Sequence, residues 1–154
     1  MKRVAIFPGS FDPITKGHEN ILLRALPLFD EIIIAVGVNS SKKGFYTIEE
    51  RIKQIKTVFA KEQKVRVETY TGLTVNFCKK VGANFILRGV RTATDFEFEN
   101  LIAQNNKVME NDIESIFMIP ESRYSAISST VVRDIIRNGG DPTPFVPSSI
   151  NLKK

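Results

Sequence analysis

Short apolar runs rich in β-branched residues alternate along the chain with segments of helical spacing. The runs are Val4–Phe7, Glu31–Val38, Val65–Thr69, Phe85–Leu87 and Ser115–Ile119. Several are continuous in apolar character, the pattern of strands covered on both faces. Helical spacing recurs between and after them, near His18–Phe29, Ile48–Lys61, Thr74–Val81, Thr94–Met109 and Ser129–Asn138.

Punctuation supports this division. Thr47-Ile48-Glu49-Glu50 reads as a capping box, with Glu50 three residues beyond the capping hydroxyl. Gly82 and Asn138-Gly139-Gly140 read as helix stops. The order implies an α/β fold: one doubly wound, Rossmann-like domain over residues 1–154 with a five-stranded parallel sheet. The tail from about Asp141 is expected to be peripheral, running over the surface with at most one short turn. Ligands of such sheets bind beyond the carboxyl ends of the strands, so the informative residues should follow each run.

Composition narrows the class only a little. The 154 residues suit one domain with a real core, and 42% hydrophobic and 25% charged content is ordinary. Twenty-two Lys and Arg against 17 Asp and Glu leave a net charge of +5, which suits small polyanions as well as nucleic acid. Basic residues are not interleaved with aromatics on a recognisable face, and no nucleic-acid motif appears, so a nucleic-acid partner is not expected. Cys78 is the one cysteine, set among apolar neighbours, and reads as a packing residue. The run after Met1-Lys2-Arg3 stops at Pro8-Gly9, too short for a signal peptide, and no apolar stretch approaches a membrane span; a cytoplasmic location is expected.

The segment after the first run, Pro8 to His18, has two glycines and leads into a helix whose free N–H groups favour phosphate. His18, the chain's one histidine, can donate to a phosphoryl oxygen or simply cap the helix; position alone does not choose. After the second run, Asn39-Ser40-Ser41-Lys42-Lys43-Gly44 is a polar turn in which Lys43 reads as solvated and Lys42 stays open. After the third, Thr74 reads first as a helix cap. After the fourth, Arg88-Gly89-Val90-Arg91 sets two planar, phosphate-gripping guanidiniums around a glycine. Glu99 can orient a ribose or cation, or merely belong to an acidic helix start. After the fifth, Ser128-Ser129-Thr130 opens a helix with three hydroxyls, a cradle for a triphosphate. No Cys/His cluster offers a metal site. The inventory suits phosphoryl chemistry, which needs positioning and charge more than covalent help.

These motifs resemble a known family. Gly9-Ser10-Phe11-Asp12-Pro13 with Thr15-Lys16-Gly17-His18 resembles the T/HxGH motif of the nucleotidyltransferase superfamily, and Ile127-Ser128-Ser129-Thr130-Val131-Val132-Arg133 resembles its ISSTxxR-type motif. Arg88 to Arg91 and Asp95 to Glu99 narrow the likeness to the bacterial phosphopantetheine adenylyltransferases, from Arg3 to about Pro147. The resemblance implies transfer of an adenylyl group from ATP to 4′-phosphopantetheine, Mg²⁺ carried by ATP with no side-chain ligand, a homohexamer, and feedback binding of coenzyme A.

The same resemblance assigns roles. Ser10, Lys42, Thr74 and Arg88 match the acceptor site; Ser10, Phe11, His18, Gly89, Val90, Arg91, Glu99 and Tyr124, Ser125, Ala126, Ile127, Ser128, Ser129 and Thr130 match the ATP site. His18 matches the transition-state stabiliser, with Lys42 and Arg91 beside it in catalysis. Ser10 stands where many members have threonine, which keeps the hydroxyl, and Thr15 in place of a first histidine is usual for this branch. The rival readings are another adenylyl- or cytidylyltransferase on the same fold, and a phosphoacceptor signalling domain. The latter would need an aspartate where this chain has Tyr70-Thr71-Gly72.

Overall fold

The run Ile32-Ile33-Ile34-Ala35-Val36 is wholly buried because both of its faces are covered. Ile32, Ile34 and Val36 face one helical layer, with Ile21, Leu22 and Ala25 of the first helix and Ile55 of the second. Ile33 and Ala35 face the other, with Val75, Phe77 and Cys78 of the third helix. Each fully buried aliphatic side chain of this kind contributes about 1.5–3 kcal/mol.

A computed structural model describes residues 1–152. The last two residues of the expected domain range lie outside the described residues. The elements in chain order are β1 (Val4–Gly9), α1 (Lys16–Ala25), β2 (Glu31–Gly37), α2 (Ile48–Val58), β3 (Val65–Tyr70), α3 (Thr74–Val81), β4 (Phe85–Gly89), α4 (Ala93–Met109), β5 (Glu114–Met118) and α5 (Ser129–Arg137). Short 3₁₀ turns cover Leu26–Leu28, Ser122–Tyr124 and Thr143–Phe145. The five strands form one sheet in the order β3-β2-β1-β4-β5, and every pairing is parallel.

The five expected strands and five helices are present, with ends shifted by a few residues. Pro27 has no N–H to continue α1, and the chain tightens there into a 3₁₀ turn, so the helix stops at Ala25. β4 runs through Arg88 to Gly89, so Arg88 projects from the strand itself. Gly82 ends α3 in the left-handed region, at φ 70°. The tail makes its short turn, and it also tucks Val146 and Leu152 inward against Tyr46 and Val132. No helix among the described residues is long and apolar enough to cross a membrane.

From β1 the chain first builds outward through β2 and β3, then crosses to β4 on the other side. β1 and β4 therefore flank the switch point, and the crevice above their carboxyl ends is where this architecture binds ligands.

Candidate active site

Two cavities open at that crevice. The larger, about 590 Å³, is lined by Ser10, Phe11, His18, Gly89, Arg91 and Ser128, among others. The smaller, about 200 Å³, is lined by Tyr70, Thr74, Ile102, Asn106 and Phe117, among others. Pro8, Gly9, Arg88 and Glu99 belong to both linings, so the end of β1 and one ion pair form the wall between them. The larger volume lies in the range of small-molecule sites.

The loop after β1 is shaped by its aromatic residue. Phe11 adopts φ 47°, a left-handed conformation that costs a side-chain-bearing residue about 1–3 kcal/mol. Packing holds it there: its ring sits 5.5 Å from Phe7 and 4.9 Å from His18. The ring also folds back under Gly9, where a Cβ would meet it at 3.1 Å. A methyl group at 9 would require the ring to shift by a few tenths of an ångström.

His18 is the third residue of α1 and completes a capping box with Thr15. The Thr15 backbone N–H donates to Nδ1 at 3.0 Å, and the His18 N–H donates to Thr15 Oγ1 at 3.4 Å. Because Nδ1 accepts, the ring proton resides on Nε2. Burial lowers the pKa to about 4, and the positive charges of Arg88 and Arg91 push the same way. At neutral pH the ring is therefore uncharged, with an Nε2–H donor left for the cavity that His18 lines. The capping reading holds for Nδ1, and Nε2 is left available to a ligand in the cavity.

Arg88 and Glu99 form a fork-to-fork pair. Arg88 Nε donates to Glu99 Oε2 at 2.9 Å and Nη2 to Oε1 at 2.6 Å, while Nη1 reaches the Pro8 carbonyl. Glu99 is only 8% exposed. Three of the five guanidinium N–H groups are thus engaged within the chain, leaving two for a ligand. Arg91 spans the opposite rim: its backbone N–H and Nε meet Asp95, and Nη1 donates to the Ile127 carbonyl at 3.1 Å.

The three hydroxyls before and within α5 serve the chain first. Ser128 Oγ caps the helix by accepting from Val131 N–H, Ser129 Oγ donates to the Pro13 carbonyl at 2.8 Å, and Thr130 Oγ1 accepts from Arg133. The cradle offered to a phosphate is then mainly the free backbone N–H groups of the helix start. Thr74 departs from the capping role read in the sequence. It is the first residue of α3, whose cap is the backbone of Leu73, and its hydroxyl pairs with Tyr70 Oη at 3.2 Å. That pairing brings Thr74 to the smaller cavity.

Of the expected site residues, Ser10, Phe11, His18, Arg88, Gly89, Arg91, Glu99, Ile127, Ser128 and Ser129 line the larger cavity, and Thr74, Arg88 and Glu99 the smaller. Lys42 is exposed in its turn, Val90 is buried with its N–H on the Met118 carbonyl, and Tyr124, Ser125, Ala126 and Thr130 stand outside both linings. Thr15, which orients His18, was missed; a Thr followed three residues later by a side chain able to accept was the available signal. Among the described residues no group of three or more His, Cys, Asp or Glu can hold a metal ion.

A parallel sheet with its crevice at the β1/β4 switch point, a histidine at a helix start and a second helix start across the rim define a nucleotidyltransferase. The family described as cytidylyltransferase-like matches residues 6–135. Phosphopantetheine adenylyltransferases resemble nearly the whole chain. That of Flavobacterium psychrophilum is 53% identical over 98% of this chain and 99% of its own length. That of Leptospira biflexa is 44% identical over 97% and 94%. The chain belongs to the cytidylyltransferase-like family and, within it, to the phosphopantetheine adenylyltransferases. The fold alone is shared more widely. A Vibrio parahaemolyticus structure, solved as a candidate nicotinate-nucleotide adenylyltransferase, has a TM-score of 0.74 at 19% identity, over 97% of this chain and 96% of that one. A bifunctional NMN adenylyltransferase/ADP ribose pyrophosphatase from Francisella tularensis gives 0.74 at 16% identity, over 95% of this chain and 45% of that one.

Proposed function

We propose that this chain transfers the adenylyl group of ATP to the phosphate of 4′-phosphopantetheine, giving 3′-dephospho-coenzyme A and pyrophosphate, the penultimate step of coenzyme A synthesis. The observation that carries the reading is the shared wall: two cavities meet at Pro8-Gly9, and His18 lines the larger one. ATP takes the larger cavity, and the acceptor enters by the smaller.

An acceptor phosphate oxygen attacks the α-phosphorus in line. The new P–O bond forms as the bond to the β-phosphate oxygen breaks, and pyrophosphate departs. The acceptor phosphate is largely ionised at neutral pH, with a second pKa of about 6, so no general base is needed. Charge builds on the α-phosphoryl oxygens, and a neutral Nε2–H donor on His18 meets it without rearrangement. Arg91 and the start of α5 bind the departing phosphates. Thr74 and Arg88 hold the acceptor from the smaller cavity, and its phosphate reaches past the shared wall to Ser10 in the larger one and to Lys42, with Arg88 orientated by Glu99.

Mg²⁺ supplies charge neutralisation when bound. The ion would arrive on the triphosphate oxygens of ATP and take no side-chain ligand. The chain acts in the cytoplasm, self-associates as a homohexamer and binds coenzyme A as a feedback ligand in the same crevice. Self-association is supported by apolar side chains left outward on α4, among them Leu101, Val108 and Met109.

Pyrophosphate release with ATP and a panel of phosphorylated acceptors tests the reading. Turnover with nicotinamide mononucleotide and none with 4′-phosphopantetheine would overturn it.

A further inference from the structure

Arg51 lies on α2, outside both cavities, and is only 6% exposed. Its Nη1 donates to the Ser10 carbonyl at 3.2 Å, its Nε donates to the Tyr46 carbonyl at 2.9 Å, and Nε lies 3.5 Å from Asp12 Oδ1. Asp12, 7% exposed, turns its carboxylate to the same segment: Oδ2 accepts from Phe45 N–H and Oδ1 from Tyr46 N–H, each at 2.8 Å. The loop after β1 and the segment after β2 are thus bolted together by one buried charge pair. Gly44 makes room for it, because a Cβ there would lie 1.7 Å from Arg51 Nη2. Ser10 stands at one end of this bolt, and Lys42 lies two residues before Gly44 on the segment it holds.

We propose that Arg51, with Asp12, is a positioning residue for the acceptor side of the reaction: it fixes the segment carrying Lys42 against the loop carrying Ser10. The inference rests on the reading in which Ser10 and Lys42 grip the acceptor phosphate. The ATP side has further contacts of its own, those of Thr15 with His18 and of Arg91 with Ile127, that do not pass through Arg51. Loosening the bolt therefore separates the two substrates' constants.

The test compares wild type, Arg51→Gln, Arg51→Lys and Gly44→Ala, with each KM measured at saturating partner. In Arg51→Gln the KM for 4′-phosphopantetheine is expected to rise about tenfold or more, since small misplacements of binding groups are costly. The KM for ATP is expected to rise less, because Ser10 also lines the larger cavity whereas Lys42 does not. Arg51→Lys keeps the charge beside Asp12 but cannot reach both carbonyls with a rigid fork, so it recovers stability and not the acceptor KM. Should Arg51→Gln fail to fold, Gly44→Ala carries the same prediction, because its methyl group displaces the guanidinium with both charges retained. Hydrogen exchange over residues 39–46, which needs no substrate, is expected to accelerate in the folded variants. Unchanged exchange, an unchanged acceptor KM, or equal rises in both constants overturns the inference. Wild type inactive with 4′-phosphopantetheine overturns the functional reading instead, and exchange then decides whether the pair fixes the segment.

Discussion

The Thr15 backbone N–H donates to Nδ1 of His18, so one ring nitrogen closes a helix and the other is left as the donor to the site. Since the chain has one histidine, this relationship can be read directly by nuclear magnetic resonance. The ring is expected to titrate near 4, well below 6.5, and to carry its proton on Nε2 at neutral pH. A folded pKa lowered below the unfolded one gives stability that is full above about pH 6.5 and declines as pH falls toward 4. Acid melts should show that decline, and His18→Gln should lessen it. A midpoint near 6.5, or a proton on Nδ1, contradicts the assignment.

His18→Ala is expected to lower kcat by about 10²–10³, the usual loss on removing one donor to a developing oxyanion. It should also cost about 1 kcal/mol of stability, since the Thr15 N–H loses its acceptor while Thr15 Oγ1 still caps the helix. His18→Gln separates the two roles. Glutamine at this helix position can accept from Thr15 N–H, so urea melts should recover while kcat stays low.

Glu99→Ala tests the shared wall. It leaves the Arg88 guanidinium without its fork, and partial exposure of Arg88 softens the penalty to about 2 kcal/mol. Because both residues line both cavities, the KM values for ATP and acceptor should rise together. A change confined to one substrate contradicts a common wall.

Ser128→Ala should cost about 1 kcal/mol through the lost cap. Its effect on ATP binding should be small, since backbone N–H groups do most of the work at that helix start. A loss of ATP affinity above about a hundredfold, by calorimetry, would show that the hydroxyl itself holds phosphate.

What could be read beforehand follows from distance along the chain. Continuous apolar runs such as Ile32–Val36 announce strands covered on both faces, and local chemistry such as Thr47 with Glu50 announces helix starts. Pairs formed by the folded topology are silent in sequence. Arg88 and Glu99 meet across a turn of 11 residues, and Asp12 and Arg51 come from elements that only the sheet brings together. In the sequence Arg88 and Glu99 stand as separate charges, which the resemblance places in different substrate sites, and nothing there singles out Arg51. The hydroxyls of Ser128, Ser129 and Thr130 were seen, but their engagement by Val131, Pro13 and Arg133 was not, because two of those three bonds are local and easily mistaken for ligand contacts. Thr74 went the other way: its capping chemistry was plausible, and Tyr70 claimed its hydroxyl.

The central claim is that the acceptor's own phosphate attacks the α-phosphorus of ATP. The most direct measurement is mass spectrometry of the products formed from ATP and 4′-phosphopantetheine labelled with ¹⁸O on its phosphate. The account predicts labelled 3′-dephospho-coenzyme A and unlabelled pyrophosphate. Release of ADP, or a joined product formed only with a different phosphorylated acceptor, would contradict it.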